Sequence, residues 1–506
     1  MKGSIDIAPP LTWSRQQLAL RIVVAAVFAI AIAMRLYGLN GRFDFDGYDE
    51  GVYWQTLRAM SAGFSLYGRI FCSQPPAFPL LIYPFYVLFG WTIVAARFGV
   101  AALSLLGLAG AYLLGKALAG RVGGVAALVI VVATPSYLEA SQTLQAEGPA
   151  TALLFLTVGA AFMWWQYPMG QKGALLAMLC GVSFALGTLV KLLDVTAIVP
   201  ILVLVFGRLW QIRREAGCRI ATALWPIGCA IAAAAVASLV VLAPILNSLP
   251  AAIRQVVAFH IAARGMVGGS ESRNIHSLYH FLIGNAVLGV GAAVGIVVAA
   301  RRHDWRIVPL VAWVLATCIV LLMQVPLFPH HATVLIPPLV AVSALALHEL
   351  PAMGQTQWVT RFSRRRAAIL LPLAAILVGA PSFYVYYHRQ GIRPESSKTG
   401  RVALIAADLE RTTTPDQWVI TDAQFVAGLA NRDTPPWLVD TSSVRINSGY
   451  LTVPELIQAA SDQRVHAVLF ATARLAGTSV IGFHSWVAQH YYPLRTYGSG
   501  IELWIR

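Results

Sequence analysis

Apolar, nearly uncharged runs recur along the first three quarters of the chain, at about 18–38, 93–116, 122–138, 149–167, 173–190, 195–210, 220–246, 278–300, 306–327, 332–350 and 367–387. Runs near or above about 18 residues match a hydrocarbon layer about 30 Å thick, so the pattern predicts eleven membrane-spanning helices. A further apolar stretch, Pro76 to Trp91, is short for that layer and carries Pro76, Pro79 and Pro84, which break a regular helix. Tyr83, Phe85, Tyr86 and Trp91 suit the membrane interface, and the stretch is expected to lie along or dip into it without crossing.

From residue 388 the pattern changes, with prolines, polar residues and no long apolar run. Short apolar runs alternate with helical patterns. They predict helices at Val402–Arg411, Phe425–Asn431, Val453–Asp462 and Trp486–Tyr491, and strands at Trp418–Asp422, Trp437–Asp440, Ala467–Ala471 and Ile501–Ile505. Such alternation predicts a small open α/β sheet, Rossmann-like in layering. No GxGxxG turn accompanies it, so no nucleotide site is expected. Two domains follow: 1–387, a polytopic α-helical transmembrane domain, and 388–506, an α/β domain expected outside the cytoplasm.

Composition agrees with this reading, since 58% of the 506 residues are hydrophobic and 12% charged, which excludes a soluble globule. The net charge of +15 resides in the apolar part: residues 1–387 hold 26 Lys+Arg against 12 Asp+Glu, and the remainder 11 against 10. If Pro76–Trp91 does not cross, 17 of those 26 basic residues fall in inside loops, in groups such as Arg208/Arg213/Arg214/Arg219 and Arg361/Arg364/Arg365/Arg366. Eight of the twelve acids then fall outside. A crossing would invert every later loop, so the positive-inside rule rejects it and sets the N-terminus in the cytoplasm and the C-terminus outside. Basic residues spread over short membrane loops argue against a nucleic-acid partner. The five cysteines show no CxxC or zinc spacing, and Lys2 and Arg15 precede an apolar run without a small-residue cleavage site. Disulfides and a structural metal are not expected, and the first span reads as uncleaved.

The first outside loop concentrates chemistry. Asp44, Asp46, Asp49 and Glu50 lie within seven residues, beside Gly47, Tyr48, Gly51, Tyr53 and Trp54. Four carboxylates beside a membrane form either a solvated acidic loop or a functional one. Their setting resembles a known family. Asp49-Glu50-x-x-Tyr53, then Pro75-Pro76 opening an apolar run, then Ala95-Ala96-Arg97 opening a span, then Glu147 after Pro135, and Gly187-Thr188-Leu189-Val190-Lys191 at a span end resemble the polyprenol-phosphate-sugar glycosyltransferases of the GT-C superfamily. The match is nearest to their protein O-mannosyltransferase and aminoarabinose transferase branch and covers about residues 18–200. That branch often has Lys before the proline pair, where this chain has Gln74, and Asp at the second-loop acid, where it has Glu147.

The resemblance implies an inverting displacement, in which an acceptor hydroxyl on a lipid, glycan or protein attacks the anomeric carbon of a sugar linked to polyprenyl phosphate. The implied setting is the extracytoplasmic side of a bacterial inner (plasma) membrane. Such chemistry asks for a carboxylate to take the acceptor proton and for cations on the departing phosphate. Asp49 is the expected base by its motif position. Glu50 either joins it in catalysis or orients the loop by pairing with a basic residue. Arg97 and Lys191 are expected at the phosphate, with Arg264, His260, His330 and His331 as further cations or donors, and Tyr53 and Glu147 at the substrate. No cofactor and no metal is expected. A flippase or transporter, the rival reading, calls for charged or broken helices at mid-membrane and two similar halves. The chain shows neither. A non-catalytic scaffold is the third reading, separated from an enzyme by loss of transfer in a folded Asp49→Asn protein.

Overall fold

The computed structural model describes residues 15–41, 47–214, 220–266, 271–347, 377, 379–381, 383–384, 397–498 and 500–506. Arg15–Leu36 has no proline or glycine and forms α1, 22 residues long. At 1.5 Å per residue it is about 33 Å long, enough to cross a bilayer core. α2 (Tyr48–Ser61) and α3 (Ala77–Leu88) come from the first polar loop. With Pro84 inside and only 12 residues, α3 is about 18 Å long, too short to cross.

α4 (Ile93–Val132) runs 40 residues but doubles back on itself. Ala119 and Gly120 leave helical geometry, with Gly120 at φ +67°, and a Cβ at Gly115 would collide with the Gly123 carbonyl. The two arms correspond to the expected spans 93–116 and 122–138, but the second ends early. Pro135 forces Thr134 out of the helical region (φ −101°, ψ 105°) and opens a separate helix, α5 (Pro135–Gln142). α6 (Glu147–Gln166), α7 (Gly170–Val190), α8 (Ile198–Arg214) and α9 (Ile220–Leu242) follow. Glycines let these helices approach closely: Gly110 sits on Phe155 and Gly181 on the Ala230 backbone. α6 is buried almost all round, and its Phe155 and Phe162 share a core with Leu114, Val131 and Trp313.

α10 (Leu249–Ile253) and α11 (Phe259–Met266) continue the chain beyond α9. α12 (Glu271–Gly284) and α13 (Ala286–Arg301) meet at a bend of 93°, so the expected straight span 278–300 is broken. The reason is Asn285, which is buried at the corner. Its side chain accepts from the Ser136 amide (3.1 Å) and donates to the Ser136 hydroxyl and the Phe281 carbonyl (both 2.8 Å). α14 (Ile307–Leu322) and α15 (Ile336–Leu345) close the helical part. The expected span 367–387 lies almost wholly outside the described residues, as do Asp44, Asp46, the Arg361–Arg366 cluster and the boundary near 388.

The C-terminal layer comprises α16 (Ser397–Thr412), β1 (Trp418–Thr421), α17 (Gln424–Leu429), α18 (Ser443–Asn447), α19 (Val453–Ser461), β2 (Val465–Phe470), α20 (Ala473–Ala476), α21 (Ile481–His490), β3 (Tyr492–Thr496) and β4 (Glu502–Ile505). The sheet order is β1-β2-β4-β3, with β1 and β2 parallel and β4 antiparallel to both its neighbours. Strand residues alternate between two cores. Val419, Ala467 and Leu469 pack with Ile405, Leu409 and Val426, while Ile420, Val468 and Phe470 pack with Leu456, Phe483 and Val487. Helices therefore cover both faces, as expected of an α/β layer. The short helices α18 and α20 have no counterpart in the sequence reading, and two further elements differ from it. Trp437–Asp440 is not a strand, because Pro435 and Pro436 fix a 3₁₀ turn at Pro436–Leu438. β3 has no counterpart in that reading, since all five of its residues are exposed and no inward–outward alternation marks it.

The two layers are fastened at α2. Trp54 packs on Phe425 (5.5 Å between rings), and Gly51 abuts the Phe425 backbone. Gln55 donates to the Arg432 carbonyl (3.0 Å) and accepts from the Thr434 amide (3.2 Å), and Arg58 pairs with Asp433 (2.5 Å).

Candidate functional site

Where the ends of the apolar helices meet the α/β layer lies a cavity of about 740 Å³. Two helix starts aim carboxylates at it. Asp49 stands in the first turn of α2 and Glu147 in the first turn of α6, positions that the helix dipole favours for anions. Lys191 caps the C-terminus of α7, where a cation is favoured, and its ammonium forms a buried ion pair with Glu147. The 3₁₀ turn Pro329–Leu335 brings in His330, whose Nε2 lies 3.6 Å from both Asp49 Oδ2 and Glu147 Oε1. Phe328 stacks on His330 (5.6 Å, interplanar 9°) and fixes the ring between the acids.

Asp49, Tyr53, Glu147, Lys191, His260, His330 and His331 all line this one cavity, although more than 280 residues separate the first from the last. Asp49 has a half-open carboxyl, 43% exposed at the cavity wall. Desolvation raises its pKa above the ordinary carboxylate value; His330 opposes that shift and Glu147 adds to it. The result is a better proton acceptor than a free aspartate. Tyr53, one turn along α2, packs edge-on against Phe78 (4.6 Å) and forms part of the wall. His260 holds Nδ1 2.7 Å from the Val256 carbonyl, which leaves Nε2 for the cavity.

Arg97 and Glu50 are placed elsewhere, which corrects the phosphate role expected of Arg97 and, of the two readings of Glu50, favours pairing with a basic residue over catalysis. The Arg97 guanidinium binds Glu50 bidentately (2.8 and 2.7 Å) and donates to the Leu39 and Gly41 carbonyls (both 3.0 Å). Glu50 Oε1 also accepts from the Leu144 amide (2.6 Å). Both side chains are buried, and neither lines the cavity. Consecutive helical residues diverge by about 100°, so Asp49 facing the cavity turns Glu50 into the protein. Arg97 is a structural clamp: four of its five N–H donors are committed, and it is buried away from the cavity.

The α/β layer supplies residues that sequence reasoning did not single out: Asp440, Ser442 and Arg474 line the cavity's other wall. No motif marks them, and only the docking of α2 against the layer brings them in. Arg264, in α11, also lines the cavity and donates to the Met323 carbonyl (2.7 Å). As for metal chemistry, Glu147, His330 and His331 present ligand atoms within 4.8 Å of one another. They could hold a divalent cation once Lys191 withdraws from the Glu147 oxygen that it holds.

Residues 73–244 match the family of dolichyl-phosphate-mannose-protein mannosyltransferases. No curated protein matches the chain by sequence. Among solved structures, ArnT from Cupriavidus metallidurans in the apo state is similar at a TM-score of 0.65 and 14% identity, covering 96% of this chain and 98% of that one. The same ArnT bound to undecaprenyl phosphate gives 0.62 and 15% over 96% and 97%. The Archaeoglobus fulgidus oligosaccharyltransferase tethered with an acceptor peptide gives 0.54 and 13% over 94% and 72%. At these identities the likeness is one of fold. The chain therefore has the fold of ArnT and of the oligosaccharyltransferase, and its stretch from α3 to α9 matches the mannosyltransferase family.

Proposed function

We propose that this chain moves a sugar from a polyprenyl-phosphate donor to an acceptor hydroxyl, with inversion, in the cavity between its apolar helices and its α/β layer. The observation that carries the reading is the convergence of Asp49, Glu147, Lys191, His330 and Arg264 on one cavity at the helix ends. A lipid-linked donor keeps its polyprenyl chain in the membrane and lifts its phosphate to those ends. Undecaprenyl phosphate bound to an ArnT of the same fold supports a donor of this class. The positive-inside rule, applied to the arginine-rich loops of the sequence, supports an extracytoplasmic cavity, with residues 1–387 as the catalytic domain and 388–506 as its extracytoplasmic cover.

In the proposed step the acceptor oxygen bonds to the anomeric carbon as the bond from that carbon to the phosphate oxygen breaks. The hydroxyl proton passes to Asp49, and the bonding pair leaves on the phosphate, which gains one negative charge. Arg264 and His330 stabilise that charge, and Lys191 holds Glu147 in place beneath them. Asp49→Asn keeps shape and hydrogen-bonding atoms but removes the proton acceptor. Transfer from a polyprenyl-phosphate sugar is expected to fall about 10²–10⁴-fold while undecaprenyl phosphate still binds. Full activity in Asp49→Asn overturns the base assignment. Failure of the wild type to bind undecaprenyl phosphate overturns the donor class.

A further inference from the structure

Of the cations on the cavity wall, Lys191 is held by Glu147, and Arg264 sits on the membrane helices where the donor phosphate is placed. Arg474 differs from both. It belongs to the α/β layer, at the carboxyl edge of the parallel pair β1–β2, which is where open α/β sheets bind ligands. Its position is built from the sheet outward. Asp422, fully buried just after β1, accepts from the Ala471 and Thr472 amides (2.8 and 3.1 Å), the Thr472 hydroxyl (2.7 Å) and the Leu475 amide (3.1 Å). Thr472 in turn accepts from the Arg474 amide and from its Nη1 (3.2 and 3.3 Å).

The guanidinium then lies over the ring of Tyr48, 4.1 Å from its centre. Tyr48 is itself held by the same layer: its hydroxyl donates to Asp440 (3.1 Å) and accepts from the Thr441 amide (2.7 Å). Among the described residues Arg474 forms no ion pair, and Asp440 on the same wall has Oδ1 occupied by Tyr48 and the Ser442 amide. Most of a rigid fork of donors is therefore left over, fixed on the residue that precedes Asp49 and turned to the cavity.

We propose that Arg474 is a specificity-determining residue that binds an anionic group, a phosphate or a carboxylate, on the acceptor. The inference rests on the reading of Asp49 as base and of the helix-end cations as the donor phosphate site. The donor phosphate arrives from the membrane side and is met by Arg264 and His330. A second, separate anion on the opposite wall then belongs to the molecule that enters under the α/β layer. A planar guanidinium stacked on an aromatic ring matches both oxyanions bidentately, and an acceptor anchored there presents a neighbouring hydroxyl to Asp49.

The test uses the full chain in detergent, saturated with undecaprenyl phosphate and titrated calorimetrically with glycerol 3-phosphate, glucuronate, glycerol and glucose. The loaded wild type is expected to bind one or both anionic probes in preference to the neutral ones, and the preferred probe identifies the group as phosphate or carboxylate. Arg474→Gln should weaken that probe about tenfold to a hundredfold with undecaprenyl phosphate affinity unchanged, and Arg474→Lys should fall between. Retained undecaprenyl phosphate binding also reports that the variant is folded. Equal binding of charged and neutral probes, or an undiminished anion affinity in Arg474→Gln, overturns the proposal. Anion binding only in the absence of undecaprenyl phosphate, or loss of undecaprenyl phosphate binding in Arg474→Gln, assigns Arg474 to the donor site instead and also overturns it. Failure of the wild type to bind undecaprenyl phosphate at all would strike the donor reading, a distinguishable result.

Discussion

Replacing Arg97 with Met separates a structural role from a substrate role. The guanidinium makes four hydrogen bonds, two to Glu50 and one each to the Leu39 and Gly41 carbonyls, and so ties the chain beyond α1 to α2 and α4. The Arg97 and Glu50 side chains are only 5% and 8% exposed. Removing the arginine leaves the Glu50 carboxylate buried with the Leu144 amide as its remaining partner. Breaking a buried pair from one side costs about 3–5 kcal/mol, because the surviving charge is desolvated without compensation. Adding Glu50→Gln removes that charge while keeping an acceptor for Leu144, and the double variant should recover roughly half of the loss. Thermal unfolding in detergent, followed by tryptophan fluorescence, reads the stability of the single and double variants. Undecaprenyl phosphate affinity per folded molecule should be unchanged in both, since Arg97 does not line the cavity. An Arg97→Met protein that melts like the wild type yet fails to bind undecaprenyl phosphate would refute the clamp and restore Arg97 to the phosphate.

Lys191→Met strands Glu147 in the same manner, so stability and transfer should fall together by about 3–5 kcal/mol and by orders of magnitude; Lys191→Met with Glu147→Gln should regain stability but not transfer, as melting and activity measured side by side will tell. At the junction of the layers, Gly51→Val drives a side chain into the Phe425 backbone and should cost about 1–3 kcal/mol, with faster tryptic cleavage of the C-terminal layer. Gly228→Ala, with open space around its Cβ, is the control and should behave as wild type. In intact cells carrying a cysteine-free background, a cysteine at exposed position 213 should resist an impermeant maleimide, and one at exposed position 463 should react. Labelling of position 213 from outside would invert the topology.

The sequence by itself determined what depends on the solvent. Bilayer thickness dictates the length of an apolar run, so most of the apolar helices could be placed one after another, though not the 93° break within 278–300, and the prolines of Pro76–Trp91 marked a helix too short to cross. The α/β layer was legible for the same kind of reason: β1 and β2 face an apolar core on each side and so read as short, nearly continuous apolar runs, whereas the wholly exposed β3 gives no such run. The order of Asp49, Glu147 and Lys191 along the chain was legible too, because each stands at the end of its helix. What the one-dimensional pattern lacks is the angle around each helix axis. Asp49 and Glu50 are neighbours in sequence, yet about 100° of rotation sends one to the cavity and the other to a buried arginine. The directions of Arg97 and Arg474 were illegible for the same reason. The first sits at a span end like a phosphate ligand but faces the Glu50 carboxylate, while the second lies in the four-residue helix α20, which Asp422 and the docking on Tyr48 turn toward the cavity. Long-range packing sets those directions: Glu50 is 47 residues from Arg97, and Thr472, which holds Arg474 locally, is itself held by Asp422 50 residues away.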